Sequence, residues 1–145
     1  VESRQLDIGM AQGWARTGAV FLVGTDDSID TTLQPVCRFY GRPEAGLDSH
    51  FYSASLQECS EVRQKFSQSW ILESDNAFRA MLPDLASGQC IPKLLDRRPL
   101  YRVYNNRPDT NHRYSLSQDV INEMRLNGWI PEGYGTSGTT MCVFQ

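Results

Sequence analysis

A chain of 145 residues, 40% hydrophobic and 21% charged, is enough for one domain with a true core and too short for two large independent ones. Seventeen Asp and Glu against fourteen Lys and Arg give a formal charge of -3, the opposite of the basic footprint that nucleic-acid backbones select. The longest purely apolar run, Ala19 to Val23, is far below a membrane span or a signal-peptide core, so neither a membrane partner nor a targeting segment is expected.

The chain opens on Val1 rather than Met and reads as a processed product or an excised fragment. Residues 1 to 12 carry a helix pattern that ends at Gly13-Trp14, and Ala19 to Val23 returns to extended chain. After a connector near Gly24 to Gln34, Pro35-Val36-Cys37-Arg38-Phe39-Tyr40 alternates apolar and polar as a half-buried strand does. A polar, turn-rich loop, Gly41 to Ser49, leads to a short strand, His50-Phe51-Tyr52-Ser53. Ser55 with Glu58 has capping-box spacing and opens a helix whose inward face is expected to be Leu56, Cys59, Val62 and Phe66. A turn at Ser69-Trp70 precedes an extended stretch, Ala77 to Leu82, and a second connector, Pro83 to Arg98. The pattern then recurs. Pro99-Leu100-Tyr101-Arg102-Val103-Tyr104 is a strand, Asn105 to Asn111 a loop, and His112-Arg113-Tyr114-Ser115 a short strand. Ser117 opens a helix, Gln118 to Asn127, with Val120, Ile121 and Met124 inward and Gly128 as its stop, before Trp129 and an extended Thr140 to Phe144.

These elements are copies of one unit. The three Trp residues are 56 and 59 apart, each preceded at eight residues by an aliphatic residue: Leu6, Val62 and Ile121. Arg38 and Arg102 are 64 apart, as are Tyr40 and Tyr104, and His50 and His112 are 62 apart. The expected fold is a single α+β domain over 1–145, made of a partial unit (1–23) and two complete units (35–82 and 99–145). A quasi-threefold, trefoil-like or small propeller-like arrangement would let the partial unit dock against the last one. The strand and His-x-Tyr half of the first unit is missing, which leaves the parent polypeptide upstream of Val1, or a partner chain, to supply it.

The series P-x-x-R-x-Y, D/N-H-x-Y-S/T and G-W-x-x-E-G resembles an uncharacterised repeat family of secreted bacterial and some fungal proteins marked by W-x-x-E-G. The likeness covers nearly the whole chain, and its nearest form is similar to C-terminal modules of exported proteobacterial proteins. Membership would imply a non-enzymatic accessory domain that attaches its carrier to a surface or glycan. The chain departs from the motif at Thr17, which stands for Glu, and at Ser69 and Ser74, which stand for the two Gly.

Cys37, Cys59, Cys90 and Cys142 lie 22, 31 and 52 residues apart, which excludes C-x-x-C zinc or redox sites. Two disulfides in an exported protein are the better reading, with three pairings open and four buried thiols as the alternative. His50 and His112 are the only histidines, so no His-rich metal site can be built and no metal or cofactor is expected. Each imidazole either bonds a neighbouring loop beside a packed Tyr or contacts a ligand. Glu73 and Glu132 are equivalent copies, whereas glycosidase acid and base need two different environments side by side, so each is expected to accept N–H bonds from its own turn. Trp14, Trp70 and Trp129 are expected to plug the core of their units. Arg38 and Arg102 should be exposed or paired with carboxylates. Gly135 to Thr139 is not a G-x-S-x-G elbow and reads as a polar loop.

The leading expectation is a secreted or periplasmic, non-catalytic module binding a glycan, cell-wall or polymer surface, with Tyr40, His50, Tyr52, Tyr104, His112 and Tyr114 as candidate contacts. The alternatives are an interaction domain completed by upstream residues or a partner chain, and a hydrolase using Glu or Ser, which would require a deep pocket with His close to one of them.

Overall fold

The computed structural model describes residues 20–91 and 97–144. Two strand, strand, helix, strand units follow one another, consistent with the α+β expectation. In the first, β1 (Leu33–Gly41) pairs antiparallel with β2 (His50–Ser53) and β3 (Trp70–Met81), and helix α1 (Leu56–Lys65) joins β2 to β3. In the second, β4 (Arg97–Tyr104) pairs with β5 (His112–Ser115), β6 (Ile130–Glu132) and β7 (Thr139–Phe144), and α2 (Gln118–Leu126) follows β5. The strand order is β2-β1-β3-β7-β4-β5, with β6 beside β4. The ladder is an open sheet. The helix expected over residues 1 to 12, and Trp14, lie outside the described residues.

Register explains the repeated motifs. Arg38 faces Tyr52 and Tyr40 faces His50 across β1 and β2, just as Arg102 faces Tyr114 and Tyr104 faces His112 across β4 and β5. Alternation then sends Val36 and Leu100 into one core cluster with Ala54, Ala80, Met141 and Val143. A second cluster holds Phe39, Leu47, Phe51, Trp70 and the Cys37–Cys59 disulfide, which ties β1 to α1. Cys90 pairs with Cys142.

Several expectations need correction. The tryptophan turn is the start of a strand: β3 runs unbroken from Trp70 because a bulge opposite Arg38 and Phe39 absorbs Glu73 without ending the ladder. In α1 only Cys59 of the predicted face is buried, Val62 is partly so, and Leu56 and Phe66 are exposed. In α2, Ile121 is buried while Val120 is exposed. Trp70 is a core residue, but Trp129 is only half-buried. Two residues of the floor under Trp70, Leu47 and Phe51, have the charged Asp109 and Arg113 62 positions on, so the second unit's counterpart of that floor is less apolar.

The helix caps differ from the expected box. Ser55 Oγ accepts the Glu58 N–H at 3.2 Å, but the Glu58 carboxylate turns away to Arg102, and the Ser55 N–H donates to Ser53 Oγ instead. Ser117 and Ser115 repeat this arrangement ahead of α2. The last residue of His-x-Tyr-Ser is therefore a helix-start residue.

Between the two units, Val20 to Gly24 crosses the middle of the sheet. Leu22 bridges Phe144 of β7 and Gly24 bridges Arg79 of β3, while Met81 of β3 pairs with Cys142 of β7. The three extended segments that follow the tryptophans thus meet pairwise.

Candidate functional site

Each unit gathers its repeated polar residues into one cluster. The Arg38 Nε lies 2.8 Å and the His50 Nε2 3.1 Å from Glu73 Oε2. In the second unit the Arg102 Nε and the His112 Nε2 each lie 3.1 Å from Glu132 Oε2. Both glutamates therefore serve an Arg and a His from neighbouring strands, not the backbone of their own turns as expected. The bulge at Glu73 and the direct register of Glu132 with Arg102 bring both carboxylates to the same place.

The clusters differ in burial. Arg102 is the largest fully buried side chain among the described residues, 1% exposed, whereas the Arg38 side chain is 26% exposed. Besides Glu132, Arg102 bonds both oxygens of Glu58 and the Tyr52 carbonyl at 3.2 Å, and it stacks over the Phe51 ring at 4.6 Å. Burial alone disfavours its cation, but Tyr114, Glu58 and Glu132 more than offset that and raise its pKa above the ordinary value. For Glu132, burial pushes the pKa up, and the His112 hydrogen bond with the Arg102 charge outweighs it, leaving the carboxyl below its usual range.

The six candidate contacts fall into three groups. Tyr40 and Tyr104 fix the loops that follow them: the Tyr40 hydroxyl donates to Asp48 at 2.9 Å and the Tyr104 hydroxyl to Asn106 at 3.0 Å. The Asp48 bond also raises the Tyr40 pKa. His50 and His112 lie beside these rings, with centroids 5.2 Å and 6.4 Å apart. Tyr52 and Tyr114 lie at the seam between units. The Tyr114 hydroxyl accepts the Tyr52 N–H at 2.8 Å and donates to the Tyr52 carbonyl at 3.1 Å, and burial raises its pKa.

Other residues complete the seam that the sequence reading did not single out. Ser49 Oγ accepts the His112 N–H at 3.2 Å and lies 3.3 Å from Asn111 Oδ1. Buried Asn105 organises its loop by accepting the Asn111 N–H and donating to Asp109. The only available signal for them is position, since Ser49 and Asn111 each precede the His of their unit.

Two hollows flank this seam. A groove of about 390 Å³ runs between α1 and the loop after β4, lined by Phe66, Trp70, Tyr104, Glu61, His112 and Glu132 among others. The His112 side chain is 6% exposed there, with Nε2 on Glu132 and no protein partner for Nδ1 among the described residues. A larger cleft of about 810 Å³ lies on the core side of Tyr52 and Tyr114, bounded by Val20 to Gly24's central residues, Phe78, Leu100 and Met141. Among the described residues no group of three or more His, Cys, Asp or Glu could hold a metal ion. Gly135 to Thr139 belongs to a hydrogen-bonded turn in which Tyr134 and Thr139 exchange backbone bonds at 2.8 and 3.0 Å. Comparison with protein-family models, curated proteins and solved structures returned no match.

Proposed function

We propose that this domain is a secreted, non-catalytic accessory module that binds a carbohydrate, cell-wall or other polymer surface on behalf of a larger protein, with the ligand in the groove beside α1. The observation that carries this reading is the groove's composition: Phe66, Trp70 and Tyr104 surround Glu61, Glu132 and His112. Flat aromatic rings pack against the C–H faces of sugars, and carboxylates accept hydrogen bonds from their hydroxyls. A hydrolytic role has less support. Each His does approach a carboxylate, but that carboxylate is also held by an arginine, and the lowered pKa of Glu132 keeps it ionised at neutral pH, where a general acid must be protonated. The resemblance to exported W-x-x-E-G repeats and the two disulfides favour secretion. The pairwise bridges among the three post-tryptophan segments favour a quasi-threefold arrangement of the units.

The test is pull-down on peptidoglycan, chitin and cellulose together with a glycan array. Retention on at least one is expected, weakened about tenfold or more by Tyr104→Ala or Phe66→Ala, the second with little loss of stability because Phe66 is exposed. Failure on every surface, or undiminished binding by both variants, would sink the proposal.

A further inference from the structure

The seam between the two units has a giving side and a receiving side. The second unit gives Tyr114 and Arg102; the first receives them on the Tyr52 backbone and on Glu58. The first unit has the same giving residues, Tyr52 and Arg38, 62 and 64 positions earlier. Among the described residues Arg38 reaches Glu73 and the Tyr52 hydroxyl of its own unit only, and neither Arg38 nor the Tyr52 hydroxyl bonds a neighbouring unit's backbone. The second unit repeats the backbone half of that receiving side, with Val120 in the place of Glu58. Tyr114 stands opposite Arg102 in the register that Tyr52 has opposite Arg38, so its N–H and C=O face away from β4. Arg38, Tyr52 and Tyr114 all line the 810 Å³ cleft. Among the described residues the unpaired giving side and the unpaired receiving side therefore look into one space.

The third wall of that space is the segment around Leu22 to Gly24. In both complete units the post-tryptophan strand pairs with the first strand of its own unit, β3 with β1 and β7 with β4. The Val20–Gly24 segment bridges only β3 and β7 among the described residues. In sequence, Glu2 precedes Trp14 by twelve residues, as Glu58 precedes Trp70, so a carboxylate stands at the position that would answer Arg38.

We propose that the cleft is the seat of a third strand pair of the same repeat type, bearing R-x-Y and H-x-Y-S and contributed by the polypeptide ahead of Val1. Its Arg and Tyr engage the Tyr114 edge, its backbone receives Tyr52, and its first strand extends the sheet from Val20–Gly24. This site shares no lining residue with the groove of the proposed glycan site, so either proposal can fail without the other.

The experiment lengthens the chain with a copy of its own residues 97–118 placed directly before Val1, which sets Ser117 three residues ahead of Glu2 as Ser55 is ahead of Glu58. The extended chain is expected to melt about 5 °C or more above the original. Amide exchange at Tyr52, Tyr114 and Val23 should slow by about tenfold or more. Tyr52→Phe should remove at least about half of the gain, read as a double difference against the same substitution in the original chain. If the extended chain does not fold, a peptide of residues 97–116 is titrated into the original protein, and saturable shifts at Tyr52 and Tyr114 are expected below about 1 mM. An unchanged melting point with unchanged exchange, or no shifts from the peptide, overturns the proposal. So does an original chain that dimerises with these amides protected, or one in which residues 1–19 give Overhauser contacts to Phe78.

Discussion

At the scale of single residues, the repeated Arg, His and Glu form one electrostatic device used twice in different surroundings. Arg102 is desolvated and needs two carboxylates, a carbonyl and an aromatic face, while Arg38 keeps partial contact with water and has one carboxylate. Breaking one partner of a buried pair strands the other charge, so the second-unit cluster should dominate acid sensitivity. The folded-state pKa of Glu132 is lowered, so its contribution is present above the ordinary value of about 4.5 and is lost as pH falls through the lowered folded value. Glu132→Gln is expected to be less stable at pH 7 and to show a flatter acid limb when urea midpoints are followed down to about pH 3. Parallel curves for the two proteins would refute this account. The residue types and their spacing were legible in the sequence, but their partners were not, because a strand-to-strand ion pair depends on register and on the bulge at Glu73.

At the scale of elements, local rules carried both helices and the paired short strands. Ser55 and Ser117 cap as their positions predict, with helical backbone beginning at the next residue. Ser55→Ala and Ser117→Ala should each cost about 1 kcal/mol in chemical denaturation, with helix loss confined to the affected element in exchange measurements. A cost near zero for both would mean that the hydroxyls are not the caps. Helical periodicity was a poorer guide to which side chains are inside. Leu56 and Phe66 match the apolar face of α1 yet remain exposed, since what covers a short helix is set by the strands beneath it. For the same reason Trp70 and Trp129 share a motif but not an environment: a tryptophan is buried only where neighbouring strands supply an apolar floor.

At the scale of the molecule, two crosslinks act over different loops. Cys37–Cys59 closes a separation of 22 residues inside one unit, and Cys90–Cys142 closes 52 residues and ties the connector after β3 to β7. Loop entropy assigns them about 3 and about 4 kcal/mol, so removing the second pair by Cys90→Ala with Cys142→Ala should lower the unfolding free energy more than removing the first. The reverse order in urea denaturation would show that native packing around the Cys37–Cys59 bridge outweighs loop closure. Two glycines mark another long-range constraint. A Cβ on Gly88 would stand 2.4 Å from the Tyr134 carbonyl oxygen, and one on Gly135 would stand 2.2 Å from that of Ser87, so the turn after β3 and the loop before β7 pack backbone to backbone.

The sequence by itself determined the α+β class, the two helices with their Ser caps, the paired short strands and the residue types of each polar cluster, because these follow from spacing and from chemistry within a few residues. Only the tertiary structure decided the pairing of the cysteines, the burial of Arg102, the seam between Tyr52 and Tyr114 and the two hollows beside it. Those depend on contacts between residues 22 to 62 positions apart, and strand register and bulges set such contacts with no local signature in the chain.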